Sequence, residues 1–239
     1  MNSGVRARGT FENRAAAGHA LAARIEALVE RPCVIAAIPR GGVAVALPIA
    51  ERLAVPLTVS YARRLTDARA PEVAFGALDE DGEALIDHAT VAALGLGAAD
   101  IERARLRVAA EIQRRIRLYR VPLLARLVPG AAVVLVDDGL ATGLTMQAAV
   151  AYARRHGARE VIVAVPCASA SAVRVIGDIA DHVVSLVVDE EFKAVGHYYA
   201  DFMPVADDEV VAMLARAAEH VPDHGRDASG APMRPPFSG

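Results

Sequence analysis

The chain reads as an α/β fold: a mostly parallel sheet flanked by helices, with a small hood. Three observations predict it. Residues 33–61 run strand, helix, strand. Residues 133–145 end an aliphatic strand in two acids and a Gly/Thr loop that enters a helix. Residues 146–188 then alternate helix, strand, helix and strand. Such alternation is the pattern of a parallel sheet with helical crossovers.

Each element has its own signal. Residues 11–30 place Leu21, Ile25, Leu28 and Val29 on one helical face. Residues 33–38 form a short aliphatic strand that stops at Pro39-Arg40-Gly41-Gly42. Residues 43–53 read as a helix, expected to bend or start late because Pro48 has no N–H to donate. Residues 57–61 are the next strand. In 63–86, Arg63, Arg64, Asp67 and Arg69 crowd a segment that also holds Pro71 and Gly76. Asp79-Glu80-Asp81-Gly82 makes a turn there between two short strand-like runs. This excursion is expected to be partly mobile and to form the hood.

Residues 99–119 are a strong helix, with Ile101, Leu106, Val108, Ile112, Ile116 and Tyr119 as its apolar positions. Pro122 and Pro129-Gly130 break the chain before the strand at 133. Residues 146–156 form a helix closed by Gly157. A strand at 161–165, a short helix at 170–176 and a strand at 183–188 follow. Residues 190–201 are irregular and aromatic-rich. Residues 207–219 form the last helix, with Asp207 or Asp208 as its N-cap. The Pro- and Gly-rich tail 221–239 is expected to be disordered. That leaves 1–220 as one domain, with its hood mainly at 63–86 and a further contribution from 190–202.

Composition narrows the function classes. A length of 239 residues with 54% hydrophobic content suits one large domain or a core with a small appendage. A net charge of -3 supplies no basic field for non-specific nucleic-acid binding. The N-terminus lacks an apolar signal core, and no apolar run approaches a membrane span. A cytoplasmic protein with no membrane partner is expected. Cys33 and Cys167 lie at or beside apolar runs and read as buried thiols. The histidines, His88 and His182 among them, show no metal spacing.

The chemistry concentrates at strand ends, where ligands bind in open α/β sheets. Asp137 and Asp138 end the strand at 133–136. The small-residue loop 139–145 then enters a helix N-terminus, which is a ready phosphate site. Acids beside it would repel a phosphate, so they make sense as partners of sugar hydroxyls or magnesium. One ligand asks for all of this: a ribose phosphate with a metal-bound anionic substituent. A receiver domain also carries acids near strand ends. Such domains are shorter, and nothing here suggests a phosphorylated Asp with a partner Lys.

Other candidates surround this stretch. Pro39-Arg40-Gly41-Gly42 faces the same crevice, where Arg40 offers a bidentate fork to an oxyanion; the alternative is a tight turn. Arg63 and Arg64 could neutralise an anionic leaving group or be solvated edge charges. Glu72 is either an acid/base in the hood or a surface acid. Phe192, Lys193, His197, Tyr198, Tyr199 and Phe202 cluster in a chain with only 4% aromatics. A flat acceptor would stack there, or they pack the last helix.

The 133–145 stretch resembles the phosphoribosyl-pyrophosphate signature of the type I phosphoribosyltransferases. Phe11-Glu12-Asn13-Arg14, Pro39-Arg40-Gly41-Gly42, Arg63-Arg64, 71–77, Arg114-Arg115 with Tyr119-Arg120, and 192–202 are similar to a stand-alone branch of that family with no agreed acceptor. The resemblance implies transfer of 5-phosphoribosyl from phosphoribosyl pyrophosphate to a nitrogenous acceptor such as a nucleobase, in nucleotide metabolism. Mg2+ would sit on the donor's diphosphate and ribose hydroxyls. Asp137 and Asp138 would hold the ribose 2′- and 3′-hydroxyls, and reach the metal through these or through water.

Gly139, Leu140, Ala141, Thr142, Gly143, Leu144 and Thr145 would form the donor loop, with amides and the two Thr hydroxyls on the 5′-phosphate. Gly143 would allow close backbone approach. Arg40, Gly41 and Gly42 would bind pyrophosphate, in a family loop whose backbone is often unusual and whose glycines would permit it. Arg63 or Arg64 would add charge there. Ala141 departs from members acting on 6-oxopurines, which carry Asp at that place; adenine-type members have Ala. The family also places acceptor contacts in a late hood region.

A rival on the same fold is a protein that senses the donor or a nucleotide and regulates transcription. A helix-turn-helix or basic surface would support it, and neither is present. A nucleotide hydrolase or phosphorolytic enzyme would need a positioned water or phosphate, and no residue marks one. The aliphatic faces permit a homodimer.

Overall fold

The central sheet owes its burial to strands that are apolar on both faces. The computed structural model describes residues 10–220. Five of its strands form this sheet: β1 (Cys33–Ala37), β2 (Leu57–Val59), β6 (Ala132–Val136), β7 (Glu160–Ser169) and β8 (His182–Asp189). They lie in the order β2-β1-β6-β7-β8, all pairs parallel. Every residue of β1 and β6 is buried. A parallel sheet covered on both sides selects such continuous aliphatic runs over alternating ones.

Two helical layers supply the cover. Ile35, Val134 and Ile162 point to one face and pack with α1 (Arg14–Glu26), α2 (Gly41–Leu53), α4 (Ala98–Tyr119) and α8 (Asp207–Glu219). Val34, Val133 and Val161 point to the other and pack with α5 (Leu124–Leu127), α6 (Leu144–Arg155) and α7 (Ala170–Gly177). After β1 the chain returns through α2 to β2 on one side. After β6 it returns through α6 to β7 on the other. The strand order therefore reverses between β1 and β6, and a crevice opens at their carboxyl ends.

Several expectations need correction. Helix α2 begins at Gly41 and runs through Pro48 as one 13-residue element, so the proline neither delays nor ends it. The turn at 79–82 does join two strands, and the 63–86 excursion adds a third ahead of them, making an antiparallel sheet of three strands. They are β3 (Arg63–Asp67), β4 (Ala70–Leu78) and β5 (Ala84–Ile86). Its register jumps from Thr66↔Ala74 to Asp67↔Ala70, leaving Pro71, which has no N–H, in the irregular stretch. The N-cap of α8 is Ala206, not Asp207 or Asp208. Asp207 instead accepts from Tyr119 Oη at 2.6 Å and Arg114 Nη2 at 2.6 Å. Helix α3 (His88–Ala93), which buries no residue and so shows no apolar period, was not expected. The tail 221–239 lies outside the described residues. Among those described, no helix is long and apolar enough to cross a membrane.

The small sheet is locked to the large one through the turn at 79–82. Buried Asp79 accepts from Arg155 Nη2 at 2.5 Å, and Asp81 meets His156 Nε2 at 2.9 Å. Glu80 Oε1 accepts from the Tyr61 amide at 3.0 Å, while its Oε2 is buried without a partner. Burial pushes the Glu80 carboxyl up to about 7 from an ordinary 4.5. Between those values the unfolded chain ionises while the folded one keeps its proton. Stability therefore falls as pH rises through that window. Glu80→Gln should flatten this slope and stabilise the chain above pH 7 by about 2 kcal/mol. Urea unfolding at pH 4.5 and pH 8 checks this; the same slope in variant and parent would remove Glu80 as its source.

Candidate active site

Two loops meet in the crevice, and small residues let them do so. Strand β6 ends at Val136, and Asp137 and Asp138 follow at its carboxyl end. Loop carbonyls beyond them are taken by β7: Ser169 N donates to Leu140 O at 2.9 Å and Ser169 Oγ to Ala141 O at 2.7 Å. The amides are not. Among the described residues, the N–H groups of Ala141, Thr142, Gly143, Leu144, Thr145 and Met146 have no hydrogen-bond partner, and pairing resumes with Gln147 N on Gly143 O. Six consecutive free donors at a helix N-terminus form an anion cradle. Gly143 is required by its φ of +80°; a Cβ there would meet only ordinary contacts, so close approach is not its reason.

The opposite loop is different in kind. A Cβ on Gly41 would fall 1.9 Å from Asp138 Oδ2, and one on Gly42 2.7 Å from Val136 O. These glycines serve close approach rather than a positive φ. The cis peptide of this loop is Pro39–Arg40, one step before them. Arg40 is exposed and makes no hydrogen bond or ion pair among the described residues.

The acids have unlike surroundings. Asp137 is packed inward, and its Oδ1 accepts from the Asp138 amide at 2.8 Å. Burial, then the neighbouring Asp138 charge, pushes its carboxyl well above the ordinary range. Asp138 Oδ2 instead meets Arg14 Nε at 2.8 Å, with side chains 17% and 11% exposed. Arg14 also donates from Nη1 to Met203 O at 2.8 Å and lies 3.9 Å over the Phe202 ring. Tyr199 Oη donates to the Asp138 carbonyl at 2.6 Å.

Arg14 was not expected as a site residue, and Tyr199 was expected to contact an acceptor or pack the last helix rather than to hold the Asp138 backbone. Asn13 caps α1 by accepting from Ala16 N, which places Arg14 at the helix start. Only tertiary structure carries that position to Asp138, 124 residues away.

The late aromatic residues do not pack against α8. Phe11, Tyr198 and Tyr199 form a separate cluster with Ala17 and Cys167, joined by Phe192 and Phe202. Phe202 stacks on Tyr199 at 5.1 Å and Phe192 on Tyr198 at 5.1 Å. Lys193 and His197 are exposed. Both cysteines are buried, and burial lifts the Cys167 thiol to about 12. Glu72 is exposed on β4.

Arg63 and Arg64 are neighbours on β3, so they point to opposite faces. Arg63 faces α4, 3.9 Å from Glu111, and feels the like charges of Arg115 and Arg40. Arg64 is exposed, with no ion pair among the described residues. The two therefore do not converge on one ligand from that strand. No group of three or more His, Cys, Asp or Glu side chains that could hold a metal occurs among the described residues. A magnesium ion would need oxygens from its substrate, which is how such ions are commonly held.

The phosphoribosyl transferase domain model matches residues 11–201. Relatives from Mycobacterium tuberculosis strains CDC 1551 and H37Rv, provisionally named phosphoribosyl transferases, are 39% identical over 228 residues. The match covers 93% of this chain, which spans half the length of those relatives. The crystal structure of TT1426 from Thermus thermophilus is similar, with 40% identity and a TM-score of 0.69 over 86% of this chain and 98% of that one.

The Arg14–Asp138 pair is checkable by a double-mutant cycle. Arg14→Met should cost about 2 kcal/mol, because it leaves a mostly buried carboxylate unpaired. Combined with Asp138→Asn, the loss should fall short of the sum by about 1 kcal/mol. Additive losses in urea unfolding would dissolve the pair.

Proposed function

The chain belongs to the phosphoribosyl transferase domain family, and on that premise we propose that it transfers 5-phosphoribosyl from phosphoribosyl pyrophosphate to a nitrogenous base, releasing pyrophosphate. One observation carries the reading: six free amides, 141–146, lie two residues beyond two acids at the end of the middle strand. The amides of 141–146, with the Thr142 and Thr145 hydroxyls, would take the 5′-phosphate. Asp137 and Asp138 would take the ribose hydroxyls. Asp138 keeps Oδ1 free of Arg14, and burial pushes the Asp137 carboxyl upward, which favours its protonated, donor-capable form.

As the bond from C1 to the diphosphate lengthens, negative charge grows on the leaving group. Arg40, in the loop after β1, and Arg63, at the start of β3, would stabilise it. Arg64 would reach it only from the other face of β3. Mg2+ carried by the donor would neutralise part of the diphosphate charge, with Asp137 and Asp138 reaching it through ribose hydroxyls or water. Fixing both reactants in one crevice supplies much of the remaining rate. Ala141 offers no side-chain base, which favours an acceptor that needs no help from this loop.

Pyrophosphate release in the presence of a panel of nitrogenous bases tests the activity. Asp138→Asn should lower turnover about 100-fold with the fold intact. An unchanged rate in that folded variant would exclude Asp138 from the reaction. Arg63→Ala should cost about tenfold, and Arg64→Ala less; the reverse order would place the leaving group on the other face of β3.

A further inference from the structure

Arg14 stands where a local rule disfavours it. It is the first residue of α1, and no acid shares that first turn. The partial positive charge at a helix N-terminus repels a cation. Yet the side chain is turned inward, with only 11% of it exposed. Its neighbours come from three separate segments. Nε donates to Asp138 Oδ2 at 2.8 Å. Nη1 donates to Met203 O at 2.8 Å, and the guanidinium lies 3.9 Å over the Phe202 ring. On the side of the β1 loop, a Cβ on Gly41 would fall 2.8 Å from Nε. The approach to this position is fixed before the helix begins. Phe11 N donates to Tyr198 O at 2.9 Å, Ala200 N to Phe11 O at 2.8 Å and Asp201 N to Glu12 O at 2.8 Å.

The form of the ion pair matters as much as its charge. An Arg fork often meets a carboxylate with two parallel N–H groups, which occupies both oxygens. Arg14 splits its fork instead, with one N–H on the acid and one on a backbone carbonyl. It takes only Oδ2 of Asp138. Gly41 closes against the same oxygen, since a Cβ there would be 1.9 Å from Oδ2. The Tyr199 hydroxyl meanwhile holds the Asp138 carbonyl at 2.6 Å. Backbone and side chain of Asp138 are both held, and Oδ1 stays outside the pair.

We propose that Arg14 is a positioning residue for sugar recognition: by pinning Oδ2 it aims Asp138 Oδ1 at a ribose hydroxyl, so that the site selects ribose over a deoxy sugar. This rests on the ribose-hydroxyl reading of Asp138, and Arg14 itself touches no ligand. A site built to hydrogen-bond a hydroxyl rejects the analogue that lacks it, because its own acceptor is then left unpaired. That penalty requires a held acceptor. A carboxylate free to turn finds water instead, and the discrimination falls.

Calorimetry on the full chain with ribose 5-phosphate, 2-deoxyribose 5-phosphate and 3-deoxyribose 5-phosphate reads this as a ratio of affinities. The parent should bind ribose 5-phosphate about tenfold more tightly than at least one deoxy analogue. In folded Arg14→Met that ratio should fall to about twofold or less. Arg14→Lys should give an intermediate ratio, since an ammonium keeps the charge but lacks the planar fork that spans both partners. If Arg14→Met does not fold, Arg14→Lys carries the comparison, and a parental ratio there overturns the proposal. Equal weakening of all three sugars in Arg14→Met overturns it too, because that marks a merely structural arginine and leaves the ribose reading of Asp138 standing. A parent that binds the three sugars equally, or none of them, removes the ribose reading and the role of Arg14 with it.

Discussion

Two carboxylates on consecutive residues at the end of a buried strand repel each other, and the crevice is organised around that repulsion. Asp137 meets it by burial, which favours its neutral form. Asp138 meets it with Arg14, a cation brought from the first helix and steadied by Met203 O and the Phe202 ring. The N-terminal segment and the late aromatic segment are themselves joined by backbone pairing, with Phe11 N on Tyr198 O and Ala200 N on Phe11 O. Tyr199 adds a hydrogen bond to the Asp138 carbonyl. A large share of the chain thus converges on one residue.

Helix α6 connects the site's parts mechanically. Its N-terminal amides open on the crevice, while Tyr152, Arg155 and His156 at its far end grip the small sheet. The same sheet presents Arg63 toward α4 and the β1 loop. The reversal of strand order between β1 and β6 then brings the cradle and the β1 loop face to face.

What was legible in the sequence follows from range. The parallel sheet could be read because buried strands are unbroken aliphatic runs, and the acids and donor loop because their residues are contiguous. Arg14 could not, since its value lies in an ion pair across 124 residues. The ordered small sheet was obscured by its charged first strand, Arg63–Asp67, and by Pro71, which the register shift accommodates. The aromatic residues were located correctly as a cluster, but their packing against Phe11 depends on a parallel bridge between distant segments. Pro48 does not delay its helix, which starts at Gly41. Gly18 of α1 lets the Val45 carbonyl of α2 approach so closely that a Cβ there would be 2.2 Å from it.

The central claim is that the acid pair and the free amides together hold a phosphoribosyl donor. Calorimetric titration with phosphoribosyl pyrophosphate, with and without magnesium, on the parent and on Asp137→Asn/Asp138→Asn, tests it most directly. The account predicts magnesium-dependent binding to the parent that is lost in the folded double variant. A folded parent that does not bind the donor, or a variant that binds it equally well, would contradict it.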